Sequence, residues 1–285
     1  MPDFLLDGAL AWPIAVLLSL MVGSFLNVVI LRLPKMMELE WQAEIDEATG
    51  KESNETPSFN LSKPRSRCNH CGHMIAWYEN VPVVSWLALR GKCSECGTKI
   101  SARYPMIEAL TAILGGFIGW QYGLGVEGVA LLLLTWSLIA LTFIDIDHQL
   151  LPDRITLPLV WLGLLLNTQE VFTTLSSAVW GAAAGYLSLW AVYWGFKLLT
   201  GKEGMGYGDF KLLAAIGAFG GVAVLPLTIL LSSIVGVALT LAIAATGKRS
   251  ASDPLPFGPY LAIAGWVAII WGEQINAWYL GMLIS

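Results

Sequence analysis

The chain has 285 residues, of which 56% are hydrophobic and only 13% are charged. Soluble globular proteins carry about 25% charged residues, so this composition, with a mean hydropathy of +0.65, predicts a protein embedded in membrane lipid. The composition excludes the disordered, fibrous and disulfide-rich secreted classes. The net charge of −5 provides no basic surface, so no nucleic-acid partner is expected.

Eight apolar runs predict about eight transmembrane helices, because a helix needs about 20 apolar residues to cross a bilayer. The runs are 10–31, 109–126, 128–144, 155–168, 177–196, 212–222, 224–246 and 258–272. The sixth and seventh runs also fit a single long hairpin around Gly220, Gly221 and Pro226. The predicted fold class is therefore an all-α polytopic membrane protein.

The distribution of charged residues predicts the orientation of the helices. Asp3 and Asp7 precede the first run and Arg32 and Lys35 follow it, which is the reverse of a cleavable signal peptide, so the run is retained as a helix. Ten of the 16 Lys and Arg residues lie between positions 32 and 103. The positive-inside rule assigns that loop to the cytoplasm.

All four cysteines lie in this loop, and their spacing predicts a metal site. They form two Cys-x-x-Cys pairs, Cys68 with Cys71 and Cys93 with Cys96. Two such pairs can close a tetrahedral four-cysteine site for Zn²⁺, whereas disulfides are disfavoured in a reducing cytoplasm. A redox pair is one alternative, and replacement of one thiolate by His70 or His73 is another. Four protein ligands leave no open position for substrate, so the predicted zinc is structural.

These features predict three segments. Residues 1–33 form the first transmembrane helix, residues 34–105 form a small zinc-binding cytoplasmic loop domain, and residues 106–285 form a transmembrane core of about seven helices. The loop begins with an acidic amphipathic stretch and continues into a linker-like segment over 49–57, where the sequence indicates no chemistry.

Two acidic clusters lie where predicted helices meet the cytoplasmic face, and carboxylates at that depth are functional candidates. The first contains Asp145, Asp147 and Asp153, and the second contains Asp209 in the Gly-Tyr-Gly-Asp segment 206–209. Two carboxylates at one site share a proton, so one acts as base toward water and the other as acid toward a leaving amine. Aspartates also cap helices and carry protons in transporters, so the pattern alone leaves those alternatives open.

At these motifs the chain resembles the bacterial type IV prepilin peptidases, membrane aspartic proteases that also N-methylate their products. Segment 206–209 matches the family's Gly-x-Gly-Asp motif, and segment 145–153 matches the one that supplies the other aspartate. Further similar segments are 23–34, the two cysteine pairs, 79–82, 101–105 and 256–260. The resemblance therefore extends from the first predicted span to the last.

The resemblance implies that Asp145 and Asp209 are the catalytic pair, with Asp147 and Asp153 as the fallback for the first position. It implies cleavage of leader peptides from type IV prepilins and type II secretion pseudopilins at the cytoplasmic face of the bacterial inner membrane, with a periplasmic N-terminus. Such substrates carry a short basic leader, a Gly at the cleavage point and a hydrophobic helix that commonly starts with Phe. The resemblance also implies methyl transfer from S-adenosylmethionine.

The sequence does not locate the methyl donor, because it contains no glycine-rich nucleotide fingerprint. The cytoplasmic loop is the natural place for it. Four polar residues lie in family-like segments there but fit salt bridges or caps equally well: Glu79, Asn80, Arg103 and Glu108. The cofactor-binding residues are therefore left unassigned.

Two other functional classes compete with the protease. A proton- or cation-coupled transporter would use membrane carboxylates, but it predicts acids deep in the spans and inverted repeats. The aspartates instead lie at predicted helix ends on one side. A zinc-bearing assembly scaffold accounts for the cysteines but leaves the Gly-Tyr-Gly-Asp segment unexplained.

Overall fold

A computed structural model describes residues 10–50, 59–202, 204–245 and 256–284. Nine α-helices lie in these ranges: α1 Ala11–Ala48, α2 Val84–Ala88, α3 Arg103–Tyr122, α4 Val126–His148, α5 Asp153–Asn167, α6 Leu175–Thr200, α7 Tyr207–Gly220, α8 Leu225–Ala245 and α9 Gly258–Ile284. Short 3-10 helices cover Trp77–Asn80 and Val222–Val224. The described residues contain isolated β-bridges but no named strand, which confirms the predicted all-α class.

The apolar helices fit an integral membrane protein. Within the part of the chain that the structure describes, four stretches are long and apolar enough to cross a bilayer, namely α1, α4, α6 and Val222–Ala242. Each of the eight predicted runs coincides with a separate long helix, although the count of eight spans stays a prediction. The sixth and seventh runs form two helices, α7 and α8, because Gly221 adopts a φ of +75° after α7, a conformation that favours glycine.

The chain divides into two compact units, Met1–Trp136 and Ser137–Ser285. Helix α1 continues through Pro34 to Ala48, beyond the predicted end of the first span at residue 33. The predicted division into 1–33, 34–105 and 106–285 stays a prediction. The linker-like segment 49–57 lies mostly outside the described residues.

In the first unit, α1 packs against α3 through small residues. A Cβ on Gly23 would lie 2.9 Å from the Cα atom of Glu108, and a Cβ on Gly119 would lie 3.0 Å from the carbonyl oxygen of Ala11. The buried Asn27 amide donates to the carbonyl oxygen of Tyr104 at 3.2 Å. Small residues and an amide hydrogen bond are typical of helix pairs that approach closely in membranes.

The centre of the second unit is α7, which is buried along most of its length. From Asp209 to Phe219, every residue except Lys211 is buried, because α5, α6 and α9 all pack against this helix. A Cβ on Gly181 of α6 would overlap the carbonyl oxygen of Gly217, and one on Gly163 of α5 would lie 2.8 Å from the backbone of α7. The neighbours therefore approach α7 at backbone contact.

Gly181 should tolerate no larger side chain. We expect Gly181→Ala to destabilise the protein by about 1–3 kcal/mol, because the added methyl group forces α6 away from α7. The measurement is thermal unfolding in detergent. Gly195→Ala on the same helix is the matched control, since nothing lies within 4 Å of a Cβ there and alanine favours helix over glycine. Equal unfolding temperatures for the two variants would contradict this packing.

Candidate active site and metal centre

Two carboxylates come together in the second unit. Asp145 lies in the last turn of α4, and Asp209 lies in the first turn of α7. Their exposed fractions are 5% and 7%, and the two side chains interact electrostatically. Burial and like-charge repulsion both make such a pair costly, so it is a candidate catalytic centre.

Glycines and one leucine surround the two carboxylates. The backbone N–H of Gly258 donates to Asp145 Oδ2 at 2.9 Å, and a Cβ on Gly258 would lie 2.7 Å from that oxygen. A Cβ on Gly208 would lie 2.7 Å from Leu151 Cβ, and one on Gly258 would lie 3.1 Å from Leu151 Cδ2. Glycine at these two positions therefore leaves room for both Leu151 and the carboxylate.

The two fallback aspartates have different environments. Asp147 is exposed, because two residues along a helix correspond to a rotation of about 200°, which takes it to the face opposite Asp145. Asp153 is half-exposed and accepts two contacts from Lys211 Nζ, at 2.6 and 2.7 Å. The structure therefore brings Asp145 together with Asp209, while Asp153 links the start of α5 to α7.

An aromatic cluster supports the segment that carries Asp209. The Tyr193 ring of α6 is 2% exposed and lies 5.3 Å from Tyr207 and 5.8 Å from Phe210, between ring centroids. Tyr207 and Phe210 are themselves 5.2 Å apart. These contacts fix the residues on either side of Asp209, and aromatic pairs of this kind contribute about 0.5–1.5 kcal/mol each.

The four cysteines form the predicted cluster in the first unit. All four Sγ atoms lie within 4.8 Å of one another, and the Cys68–Cys96 and Cys71–Cys93 separations are both 3.9 Å. Tetrahedral zinc with Zn–S bonds of about 2.3 Å requires sulfur separations of about 3.8 Å. The cluster therefore fits a Zn²⁺ ion held by four thiolates.

One of these thiols is prepared for metal binding. Hydrogen bonding to the side chain and backbone of Thr98 lowers the pKa of Cys96 to about 6, so its thiolate predominates at neutral pH. Thiolates are the metal-binding form of cysteine. The described cluster consists of cysteines alone, which favours the predicted four-cysteine site over the alternatives that use a histidine.

The two cysteine pairs share one backbone pattern, repeated after 25 residues. In the first pair, Cys68 N–H donates to the carbonyl of His73, and in the second, Cys93 N–H donates to the carbonyl of Thr98. The isolated bridges Arg67 to Met74 and Lys92 to Lys99 repeat the same offset. We call these two units the first and second knuckles, over residues 66–75 and 91–100.

Glu79 links the two knuckles. Its carboxylate accepts from the backbone N–H of Ala76 at 2.8 Å and lies 3.1 Å from His73 Nε2 in the first knuckle. Hydrogen bonds from Ser94 of the second knuckle, from Ala76 and from His73 lower the pKa of Glu79 to about 2, so it is ionised at neutral pH. A polar residue that the sequence left unassigned is therefore a cross-link within the loop.

Glu108 also has a structural partner. It is buried, and its Oε2 accepts the backbone N–H of Val83 at 2.7 Å. Val83 has a φ of +60°, which is rare for a β-branched residue. Glu108 therefore holds the turn that precedes α2 against the start of α3.

A cavity of about 270 Å³ lies beside the first knuckle. It is lined by Ser62, Arg65, Ser66, Ile75, Ala76, Trp77 and Asn80. Sequence reasoning did not find it, because its walls come from irregular segments with no periodic signal. Of the polar residues considered from the sequence, only Asn80 lines this cavity.

The chain is similar to known proteins over most of its length. Residues 17–122 match the model of the bacterial peptidase A24 N-terminal domain, and residues 132–241 match that of the type IV leader peptidase family. Proteins named prepilin leader peptidase/N-methyltransferase from Stutzerimonas stutzeri and Pseudomonas aeruginosa are each 55% identical, covering 98% of this chain and 97% of the relative. One of the same name from Neisseria gonorrhoeae is 47% identical, with 98% of both chains covered.

These similarities define a class of membrane-embedded aspartic peptidase. The chain belongs to the type IV leader peptidase family. Its relatives support the protease and not the transporter considered from the sequence. No solved structure matches the chain.

Zinc binding should depend on Cys93, the buried cysteine. We expect Cys93→Ser to lose the metal and to expose the loop to proteolysis, because zinc binding and loop folding are coupled. Elemental analysis and limited trypsin digestion of the purified protein measure both effects. Asn69→Ser, between the cysteines of the first knuckle, should keep about one zinc ion per chain. Full zinc occupancy in Cys93→Ser would contradict the four-cysteine site.

The Asp153–Lys211 ion pair should contribute modestly to stability. Because Asp153 is half-exposed, we expect Asp153→Asn and Lys211→Gln each to cost less than about 1 kcal/mol. The double variant should cost little more than either single one, since one substitution already breaks the pair. The free energies of unfolding of the four proteins in detergent give this double-mutant cycle. Strictly additive losses of stability would show that the two charges do not act together.

Proposed function

We propose that this chain is a prepilin leader peptidase and N-methyltransferase of the bacterial inner membrane, with Asp145 and Asp209 as its catalytic dyad. The observation that carries the proposal is the pairing of these two buried carboxylates at the ends of α4 and α7. The names of relatives that cover nearly the whole chain support the same activity. Its substrates are the precursors of type IV pilins and of type II secretion pseudopilins.

The dyad acts by general acid–base catalysis. One carboxylate takes a proton from a water molecule, whose oxygen attacks the scissile carbonyl, and the other donates a proton to the departing amine. Two adjacent carboxylates favour the singly protonated state that this reaction needs, because both cannot easily carry a charge. The Gly258 N–H bond to Asp145 Oδ2 orients that carboxylate and leaves its other oxygen for water.

The location of the dyad suits a substrate that is itself a membrane segment. Asp145 ends an apolar helix long enough to cross a bilayer, so the scissile bond lies where a hydrophobic pilin helix meets its basic leader. By the positive-inside rule, the ten basic residues of 32–103 support a loop and two aspartates on the cytoplasmic side, with the N-terminus in the periplasm. Glycines at 206 and 208 allow the extended substrate backbone to approach Asp209.

The second activity modifies the product of the first. S-adenosylmethionine, when bound, supplies a methyl group to the newly exposed N-terminal amine. Zinc has a structural role, since its four cysteine ligands leave no open coordination position. The four cysteines would hold the ion and thereby join the two knuckles. Glu79 connects the first knuckle to the 3-10 helix over Trp77–Asn80.

Removing either carboxylate should stop cleavage. We expect Asp145→Asn and Asp209→Asn each to reduce leader release at least about a hundredfold, because each amide removes one of the two proton-transfer groups. Each purified variant is incubated in detergent with a precursor that carries a basic leader and a Gly-Phe junction. Mass spectrometry of the released leader gives the rate.

Asp147→Asn is the matched control, because this residue is exposed two positions from Asp145. It should cleave at a rate close to that of the unsubstituted protein. Cleavage by folded Asp209→Asn, or loss of cleavage in Asp147→Asn alone, would contradict the dyad. A folded, unsubstituted protein that never releases the leader would contradict the peptidase function itself.

A further inference from the structure

The two knuckles provide an internal comparison. At the base of the first, Ile75 N–H donates to the carbonyl oxygen of Ser66 at 3.0 Å, and at the base of the second, Ile100 N–H donates to that of Gly91 at 2.8 Å. Ser66 and Ile75 are therefore equivalent to Gly91 and Ile100. Any difference at these positions reflects the side chains around two nearly identical backbones.

The base of the second knuckle is covered by an indole ring. Trp86 of α2 donates from Nε1 to the carbonyl oxygen of Ile100 at 3.2 Å. A Cβ on Gly91 would lie 2.8 Å from Trp86 Cζ2, so the ring lies directly against this glycine. Glycine at position 91 therefore lets a flat aromatic ring cover the base of the second knuckle.

The base of the first knuckle lines a cavity instead. Ser66 and Ile75 form part of the wall of the 270 Å³ space, together with Ala76, Trp77 and Arg65. Trp77 is 82% exposed, and it lies in the loop rather than in a predicted transmembrane helix. Exposed aromatic rings beside a concave, partly apolar surface are typical of ligand sites.

We propose that this cavity binds the adenosyl part of S-adenosylmethionine, an inference that rests on the methyl-transfer half of the proposed function. The adenine ring stacks on Trp77 and lies over the apolar surface of Ile75 and Ala76. The side chains of Ser66 and Asn80 supply hydrogen-bonding groups for the base and ribose. Arg65 provides a cation for the carboxylate of the methionine part.

Contacts to neighbouring segments hold both walls of the cavity. On one side, Arg32 of α1 donates to the carbonyl of Asn60 at 3.0 Å and lies 5.8 Å from the Phe59 ring centroid, which holds the segment that leads to Ser62. On the other side, Glu79 ties the 3-10 helix that carries Trp77 to the knuckles. The zinc site thereby supports the position of the aromatic wall.

The proposal is tested by binding, without relying on catalysis. Radiolabelled S-adenosylmethionine is equilibrated with the purified full-length protein in detergent by dialysis. We expect Trp77→Ala to weaken binding about fivefold or more, as loss of one base-stacking ring does. Trp77→Phe should recover part of the affinity, and Ala76→Phe should block binding by filling the cavity. Zinc content and unfolding temperature show whether each variant is folded.

Trp41→Ala is the matched control, because Trp41 is also an exposed tryptophan but does not line the cavity. It should bind S-adenosylmethionine with unchanged affinity. Free adenosine should compete for the site, whereas methionine should compete far less. Ultraviolet cross-linking should label the tryptic peptide 68–90, which contains Trp77.

The outcomes separate this proposal from the proposed function. Unchanged binding in folded Trp77→Ala and Ala76→Phe would overturn the location while leaving methyl transfer intact. Cross-linking confined to another peptide would overturn it in the same way. An unsubstituted protein that neither binds S-adenosylmethionine nor transfers a methyl group would overturn the methyltransferase function as well as the site.

Discussion

Backbone contact between α7 and its neighbours is the constraint on which the second unit depends. Helix α7 is only 14 residues long, and it carries Asp209 at one end and contacts Asn167 at the other. The Asn167 amide donates to the carbonyls of Ala218 and Phe219 at 2.9 Å, and its oxygen accepts from the backbone of Phe172 and Thr173 at 3.0 Å. Glycines on α5 and α6 bring these helices close enough to bury α7 along most of its length.

The burial of α7 explains why a charged residue can lie at its start. A lone carboxylate there would lose its hydration without compensation, and such a group is expensive to maintain. Its neighbour Asp145 adds like-charge repulsion to this cost, so the two carboxylates favour a shared proton. The glycines near both residues leave the site sterically open. The folded protein bears this cost and in return has a carboxyl group whose proton is easily exchanged. Peptide hydrolysis requires such a group.

Much of this arrangement could be predicted from the sequence, but only where the signal is local. The cysteine spacing predicted the metal cluster, and the Gly-Tyr-Gly-Asp segment indicated Asp209. Separating Asp145 from Asp147 required the direction of each side chain around α4, which is visible once the helix is packed. The repeat of the knuckles was also missed, because only the two cysteines, one glycine and one isoleucine are identical between the units, and the rest of the likeness is in backbone hydrogen bonds.

The cavity and the role of Glu79 could not be predicted from local sequence for a different reason. Glu79 lies 3.1 Å from His73, whose Nε2 is 3.4 Å from Ser94 Oγ of the second knuckle. Its role therefore follows from tertiary structure alone. The same holds for the two knuckle bases, which differ because α2 places Trp86 over one of them, whereas the other lines the cavity. If zinc holds both bases in one frame, the metal determines the position of Trp77 without taking part in the chemistry. The same small loop domain then forms both the structural metal site and the cavity.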